Sequence, residues 1–159
     1  MKQNPLKLIA VGGAFLFSSV LALVLVRVFM LGTEEGWHTD FHEAKALAAK
    51  TDKLMLVEFH GSDWCPPCIQ LNDEILSTAE FKDYAEGRFV LVDLDFPRRK
   101  TQDEATQKAN HALAEEYGIQ GFPTVLVMNA DGKVLGRSVG FPQGGKEGFM
   151  QFLAKHSQS

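Results

Sequence analysis

The strongest constraint on the fold is a pair of cysteines three positions apart, within residues 64–68 of sequence WCPPC. They are the only two cysteines of the 159-residue chain. An apolar run typical of a β-strand, residues 54–59, precedes the pair, and apolar residues recur at helical spacing over residues 69–76. The pair is therefore expected at a strand-to-helix junction, where positions i and i+3 share one helix face and the two sulfurs can meet.

The position of Cys65 at the start of the predicted helix gives it the chemistry of a nucleophile. Free N–H groups and the dipole at a helix N-terminus favour an anion, and such surroundings lower a cysteine pKa from about 8.5 to roughly 3.5–7.5. Cys65 is thus predicted to attack as a thiolate and Cys68 to resolve the mixed disulfide. Two alternatives remain open, an inert structural disulfide or half of a metal site, although a second Cys or His pair at zinc-ligand spacing is missing from the sequence.

Three features together make the chain resemble the thioredoxin-like proteins, most closely the membrane-anchored or exported bacterial members. They are the WCPPC segment, the acidic residue Glu58 in the preceding apolar run, and residues 121–124 (GFPT) further along the chain. The resemblance runs from about residue 37 to residue 155. It implies a thioredoxin fold, which is a mixed β-sheet flanked by helices on both faces, and a thiol–disulfide oxidoreductase that needs no cofactor.

Glu58 is a candidate general base. A desolvated carboxyl group has a raised pKa, and the resemblance implies that a strand acid beneath the cysteines helps to deprotonate the resolving thiol of Cys68. The match to the family is imperfect, because the family has Asp at this place and residues 61–63 make the loop to the cysteines longer. The alternative is that Glu58 faces solvent at the margin of a strand.

The resemblance also implies a proline loop beside the cysteines. Pro123 is expected to follow a cis peptide bond, which only X–Pro bonds adopt at modest cost, and this loop would pair with an extended substrate polypeptide. Pro66 suits the first helical position, and Pro67 stiffens the loop further. The residues predicted to contact substrate or to frame the site are Trp64, Pro66, Pro67, Phe122 and Thr124.

The N-terminal part of the chain is predicted to be a membrane anchor. Residues 8–26 contain no charge and, at about 1.5 Å per residue, approach the roughly 30 Å of a bilayer core. Lys2 and Lys7 precede them, so the positive-inside rule puts the N-terminus in the cytoplasm. The predicted division is 1–7 cytoplasmic, 8–31 transmembrane anchor or uncleaved signal sequence, 32–37 linker, and 38–159 thioredoxin-like domain on the periplasmic or extracytoplasmic side. The alternative, a signal peptide cleaved after Ala22, puts the domain on the same side.

Charge argues against nucleic acid as a partner. All 20 acidic residues and 13 of the 16 basic ones lie after Gly32, so this part of the chain is net acidic. It lacks the basic patch that nucleic acid requires. The nearest approach to one is Arg98-Arg99-Lys100, a run too short to indicate nucleic-acid binding.

Hydrophobic periodicity by itself predicts an α/β domain. Strands are expected at residues 54–60, 88–95, 124–128 and 133–139, and helices at residues 40–50, 66–76, 78–85, 102–117 and 147–156. A βαβ unit followed by a β-hairpin and a helix gives a mixed sheet that is covered on both faces, and the exact topology is what the resemblance implies.

The predicted function is that of a membrane-tethered thiol–disulfide oxidoreductase. Reduction is favoured over oxidation because of the candidate acid Glu58. The expected partners are extracytoplasmic protein disulfides and a membrane redox protein that resets the cysteine pair, since a reductase in an oxidising compartment needs a source of electrons.

The alternative function is a Cu(I)-binding module for metal delivery. Soft Cu(I) accepts thiolate ligands, so Cys65 and Cys68 would bind the ion and His111 or His156 would add a third ligand. The five histidines are otherwise expected on the solvated surface. His60 is the exception, because it ends the strand near the cysteines and could tune a thiolate.

Overall fold

The apolar run before the cysteines forms the central strand, β2 (Leu54–His60), of a five-stranded sheet within residues 36–157, the part of the chain that the computed structural model describes. The other strands are β1 (Trp37–His38), β3 (Phe89–Asp95), β4 (Thr124–Met128) and β5 (Val134–Val139), in the spatial order β1-β3-β2-β4-β5. Strands β1 and β2 run parallel to β3, whereas β4 is antiparallel to both β2 and β5. The sheet is therefore mixed, as predicted.

Helices connect the strands and cover the sheet. They are α1 (Phe41–Thr51), α2 (Pro66–Leu71), α3 (Ala79–Ala85), α4 (Glu104–Glu116) and α5 (Gly145–His156), and α2 continues into a π-helical turn, Asn72–Leu76. Side-chain caps fix several starts. The carboxylate of Asp40 accepts hydrogen bonds from the first amides of α1, and Thr78 and Asp103 have the same role at α3 and α4.

The two faces of the sheet bury different cores, because side chains alternate between the faces of a strand. In β2, Met55, Val57 and Phe59 pack with residues of α1 and α4. Leu56 joins a second core with residues of α2, α3 and α5. Glu58 and His60 follow Leu56 at two-residue spacing, so they lie on the face of the sheet that α2 covers. The fold thus puts two titratable side chains on the same face as the helix that begins at the cysteines.

Some local features differ from the sequence-based prediction. Trp37, a linker residue in that prediction, forms the edge strand β1 with His38; a strand of two residues is too short to have a readable period. The helix predicted over residues 66–76 ends in a wider π-helical turn. Helix α5 begins two residues earlier than predicted, after Gly144, whose φ of 78° is in the left-handed region.

The predicted membrane anchor, residues 8–31, lies outside the described residues, as do residues 1–7 and most of the linker. Among residues 36–157, no helix has both the length and the apolar character needed to cross a membrane. The described part of the chain confirms the α/β class and the mixed sheet with helices on both faces.

Candidate active site

The two cysteines lie at the start of α2 and form a disulfide. Cys65 precedes the helix with an extended backbone (φ −100°, ψ 100°), and Pro66 and Pro67 occupy the first helical positions, where a missing N–H costs little. The amides of Cys68 and Ile69 donate hydrogen bonds to the Cys65 carbonyl at 3.0 and 3.1 Å. The two Cα atoms are 5.3 Å apart and a bond joins the sulfurs. The pair thus occupies the strand-to-helix junction that the sequence predicts.

A proline loop before β4 lies against the cysteine segment. The peptide bond between Phe122 and Pro123 is cis, which is the geometry that the resemblance implies. The ring of Phe122 meets the indole of Trp64 edge-on, with centroids 5.9 Å apart. Thr124 is buried, and its hydroxyl donates a hydrogen bond to the carbonyl of Gly121 at 2.8 Å. The side chain of Thr124 therefore frames the loop rather than facing solvent.

Trp64 forms a partly exposed wall beside Cys65. Its Nε1–H donates a hydrogen bond to the carbonyl of Phe96 at 2.8 Å, and the guanidinium carbon of Arg98 lies 3.5 Å from the ring centroid. Gly61 lies directly against the indole, since a Cβ at that position would come within 2.5 Å of the ring. A residue larger than glycine at position 61 would displace this wall.

Glu58 is buried, with an exposed fraction of 5%, so the solvent-facing alternative is wrong. No protein group within residues 36–157 donates a hydrogen bond to its Oε1. Burial raises the pKa of Glu58 to about 7; the charge of His60 opposes this rise, and the charges of Asp93 and Asp95 add to it. An acid whose pKa is near neutrality exchanges protons readily at physiological pH, which is what a general base requires.

Three further titratable side chains surround Glu58 where β2 and β3 end. The parallel register pairs Glu58 with Asp93 and His60 with Asp95. His60 Nε2 lies 2.6 Å from a carboxylate oxygen of Asp93 and 3.9 Å from one of Asp95. Burial lowers the pKa of His60, but the hydrogen bond to Asp93 and the charges of Glu58 and the two aspartates outweigh it and raise the pKa to about 9. These four residues, the strand-end cluster, therefore hold an imidazolium among three carboxyl groups.

Two aspartates fix the loop before the cysteines. Asp95 accepts hydrogen bonds from the amide and the hydroxyl of Ser62 at 2.8 and 2.6 Å. Asp63 accepts hydrogen bonds at 3.0, 2.7 and 2.8 Å from the amides of the basic loop, residues 98–100 (RRK). These bonds, the one from Arg98 above all, lower the pKa of the Asp63 carboxyl. The carboxylate of Asp63 thus holds the basic loop against the cysteine segment.

Sequence reasoning missed Asp93 and Asp95, although a signal for them exists. Both lie at alternate positions at the end of an otherwise apolar strand, so they share one face. Glu58 and His60 have the same spacing at the end of β2. Because β2 and β3 are parallel neighbours, their carboxyl ends meet at one edge of the sheet, and reading the two strands together would have placed all four residues there.

The copper alternative has no third ligand among the described residues. His111 meets the ring of Phe96 edge-on, with centroids 5.3 Å apart, and His156 packs on Phe152 at 5.0 Å. Within residues 36–157, no group of three or more His, Cys, Asp or Glu side chains is arranged to hold a metal ion. Nothing in the geometry of this part of the chain favours metal delivery over disulfide exchange.

Comparison with known proteins establishes the family. Residues 41–156 match the family described as a thioredoxin-like domain, and the chain therefore belongs to the thioredoxin-like proteins. The match extends over all the described elements except β1.

The chain is similar to two Chlamydia proteins and to a solved structure. The chain is 37% identical over 105 residues to the disulfide bond reductase DsbH of Chlamydia pneumoniae, an alignment that covers 66% of this chain and 63% of DsbH. It is 31% identical over 93 residues to the thioredoxin-related protein DsbJ of the same organism, which covers 58% of this chain and 27% of DsbJ. The structure of a DsbH oxidoreductase superimposes with a TM-score of 0.71 and 30% identity, over 82% of this chain and 90% of that chain. The aligned part of the chain thus spans less than two thirds of the two Chlamydia proteins.

Proposed function

We propose that the chain is a thiol–disulfide oxidoreductase that reduces disulfides in other proteins. The observation that carries this proposal is the Cys65–Cys68 disulfide at the start of α2, with the cis-proline loop against its Trp64 and the buried acid Glu58 on the sheet face that α2 covers. The similarity to a protein named as a disulfide bond reductase supports reduction as the direction.

Reduction at this site takes two exchange steps. In the reduced protein, the Cys65 thiolate attacks one sulfur of a substrate disulfide, forms a mixed disulfide and expels the other substrate sulfur, which takes up a proton. Cys68 then loses its proton to a base and attacks the Cys65 sulfur, which closes the protein disulfide and releases the second substrate thiol. Two electrons and two protons pass to the substrate, so a dithiol reductant must afterwards restore the reduced protein.

Glu58 is the proposed base for the second step, since its pKa of about 7 suits it to take the proton of Cys68. The charge of the strand-end cluster supports the reducing direction as well. Three carboxyl groups against one imidazolium disfavour a nearby thiolate. A dithiol whose thiolate is stabilised is oxidising, and one whose thiolate is not stabilised is a stronger reductant.

The proposed setting is the outer face of a membrane, to which residues 8–31 tether the domain. The uncharged residues 8–26, with Lys2 and Lys7 before them, support this orientation. The reductant would then be a redox protein embedded in or tethered to the same membrane. Carbonate extraction of membranes from cells that express the full chain tests the tether: the full chain should stay with the lipid, and its release into the wash would contradict the anchor.

The equilibrium reduction potential of the Cys65–Cys68 couple tests the direction. We expect a value close to the about −270 mV of thioredoxin, measured by alkylating free thiols after equilibration in dithiothreitol buffers. A value close to the about −120 mV of the oxidant DsbA would reverse the direction.

Single-cysteine variants test the chemistry itself. Cys65→Ser should abolish the reduction of insulin by dithiothreitol through this protein. Cys68→Ser should stop after the first step and accumulate a mixed disulfide with the substrate, which a gel shift detects. Retained activity in Cys65→Ser would contradict the proposed nucleophile, and a Cys68→Ser variant that traps nothing would contradict the two-step route.

A further inference from the structure

A cavity of about 360 Å³ lies next to the cysteine site and is lined by Trp64 and by residues of α4. Aromatic rings form much of its surface: the centroids of Phe96 and Phe122 are 4.9 Å apart, and Phe122 meets Trp64 edge-on. This aromatic groove is also lined by Ile119, Ala114, Pro97, His111, Gln102 and Gln107. Its volume lies within the range of about 300–1,000 Å³ that is typical of binding pockets, and its lining is suited to an apolar side chain.

The basic loop borders the aromatic groove. Arg98 lines the groove and lies over the ring of Trp64, and residues 98–100 are all exposed. Within residues 36–157, no ion pair joins the guanidinium of Arg98 or Arg99 to a carboxylate. With three basic side chains against the one carboxylate of Asp63, the loop keeps a net positive charge in a part of the chain where acidic residues outnumber basic ones. Its hydrogen bonds to Asp63 hold this patch beside the groove.

We propose that the aromatic groove and the basic loop together bind one segment of the substrate polypeptide, in which an apolar side chain and adjacent acidic side chains lie next to the disulfide. The inference rests on the proposed function, because the groove shares Trp64 and Phe122 with the cysteine site. A segment joined to Cys65 as a mixed disulfide lies beside Trp64, so its apolar side chain enters the groove while its carboxylates meet Arg98 and Arg99. The groove supplies contact area, and the basic loop selects acidic partners.

Matched peptides test this selectivity. Each has a leucine beside one cysteine in a mixed disulfide with thionitrobenzoate, a leaving group whose absorbance reports the reaction, and two flanking residues are either Glu-Glu or Lys-Lys. The reduced full-length chain should react about tenfold faster with the Glu peptide at low ionic strength, and added salt should reduce this ratio. Replacing the leucine with serine should lower the rate about threefold, because the groove then holds no apolar side chain.

The double substitution Arg98→Gln and Arg99→Gln removes two charges from the rim of the groove. It should bring the ratio of the rates for the Glu and Lys peptides to within about twofold of unity. The matched control is Lys50→Gln with Lys155→Gln, which removes the same charge from exposed positions on α1 and α5 and should keep the wild-type ratio. Hydroxyethyl disulfide, which is small and uncharged, should react equally fast with the wild type and the lysine variant, and the ratio of the two peptide rates within each protein cancels any effect of Arg98 on the Trp64 wall.

The outcomes separate the two proposals. A ratio lost in the arginine variant and kept in the lysine variant supports the binding surface. Equal rates for the Glu and Lys peptides, equal rates for the leucine and serine peptides, or a ratio that survives in the arginine variant overturns it, while reaction with hydroxyethyl disulfide leaves the proposed function in place. A reduced chain that reacts with no disulfide overturns the proposed function and the binding surface with it.

Discussion

The strand-end cluster and the basic loop flank the same cysteine pair but are built in opposite ways. In the cluster, Glu58 is buried and His60 nearly so, the two aspartates are partly exposed, and the imidazolium and carboxyl groups interact with one another at short range. The basic loop is exposed and is held mainly through its backbone, so its side chains, with Arg98 over the Trp64 ring, remain accessible to a partner. Both attach to the segment before Cys65, the cluster through Ser62 and the loop through Asp63.

This difference gives the two regions separable effects. Charges in a poorly solvated interior act on the protonation of their neighbours and are little affected by salt. Exposed charges act on the approach of a partner and are screened over a Debye length of about 8 Å at physiological ionic strength. Changes in the strand-end cluster should therefore alter the pH dependence of the exchange rate with every substrate. Changes in the basic loop should alter only the discrimination between charged substrates.

The substitution Gly61→Ala should disturb both regions at once and have the largest effect. The added Cβ would come within 2.5 Å of the Trp64 indole, and overpacking of this kind costs roughly 1–3 kcal/mol. Urea unfolding should show this loss, and reaction with both charged and neutral disulfides should slow. Gly121→Ala is the matched control, because a Cβ there meets no described atom within 4 Å. If the two variants were equally stable, the packing of Gly61 against the Trp64 indole would not be what couples the strand-end cluster to the basic loop.

The pH dependence of stability tests the strand-end cluster alone. The pKa of Glu58 is raised from 4.5 to about 7 in the folded protein, so its contribution to stability is present below pH 4.5 and is lost as the pH rises through 7. The pKa of His60 is raised from 6.5 to about 9, so its contribution is present below pH 6.5 and is lost as the pH rises through 9. The free energy of unfolding of the oxidised protein should therefore fall across both windows.

Glu58→Gln should remove the lower of these two windows. The wild-type loss of about 3 kcal/mol associated with Glu58 should disappear, while the fall associated with His60 remains and moves to lower pH, because the charge of Glu58 helps to raise the pKa of His60. Urea unfolding at a series of pH values measures both. Glu115→Gln, at an exposed position on α4, is the control and should keep the wild-type profile; an unchanged profile in Glu58→Gln would mean that Glu58 is not the buried acid of the cluster.

Prediction from the sequence succeeded where neighbouring residues contain the signal. A few consecutive residues are enough to indicate the cysteine pair, the prolines at the start of α2 and the site of the cis bond at Pro123. It failed where a contact joins distant parts of the chain. Asp93 reaches His60 only because β2 and β3 pair in parallel register, and Asp63 reaches the basic loop across 35 residues of sequence. No periodic pattern in the sequence indicates either contact, so each becomes visible only in the folded structure.

Asp63→Ala should have the smallest effect and distinguishes two explanations of selectivity in the basic loop. The change removes one negative charge beside the loop together with the acceptors of three backbone hydrogen bonds. If net charge alone set the preference for the Glu peptide, the variant would prefer it more strongly. If the fixed position of the basic side chains matters, the preference should fall about twofold to threefold, because a mobile loop must be ordered again on binding.

The control for Asp63→Ala is Asp83→Ala, which removes the same charge from an exposed position on α3. It should leave the ratio of the rates for the Glu and Lys peptides unchanged, and hydroxyethyl disulfide should react at the wild-type rate with both variants. Because only Asp63 both bears the charge and holds the backbone, a lower ratio confined to Asp63→Ala would assign selectivity to the placement of the basic loop. A ratio above that of the wild type would show instead that the selectivity depends on the net charge of the loop and not on the position of its backbone.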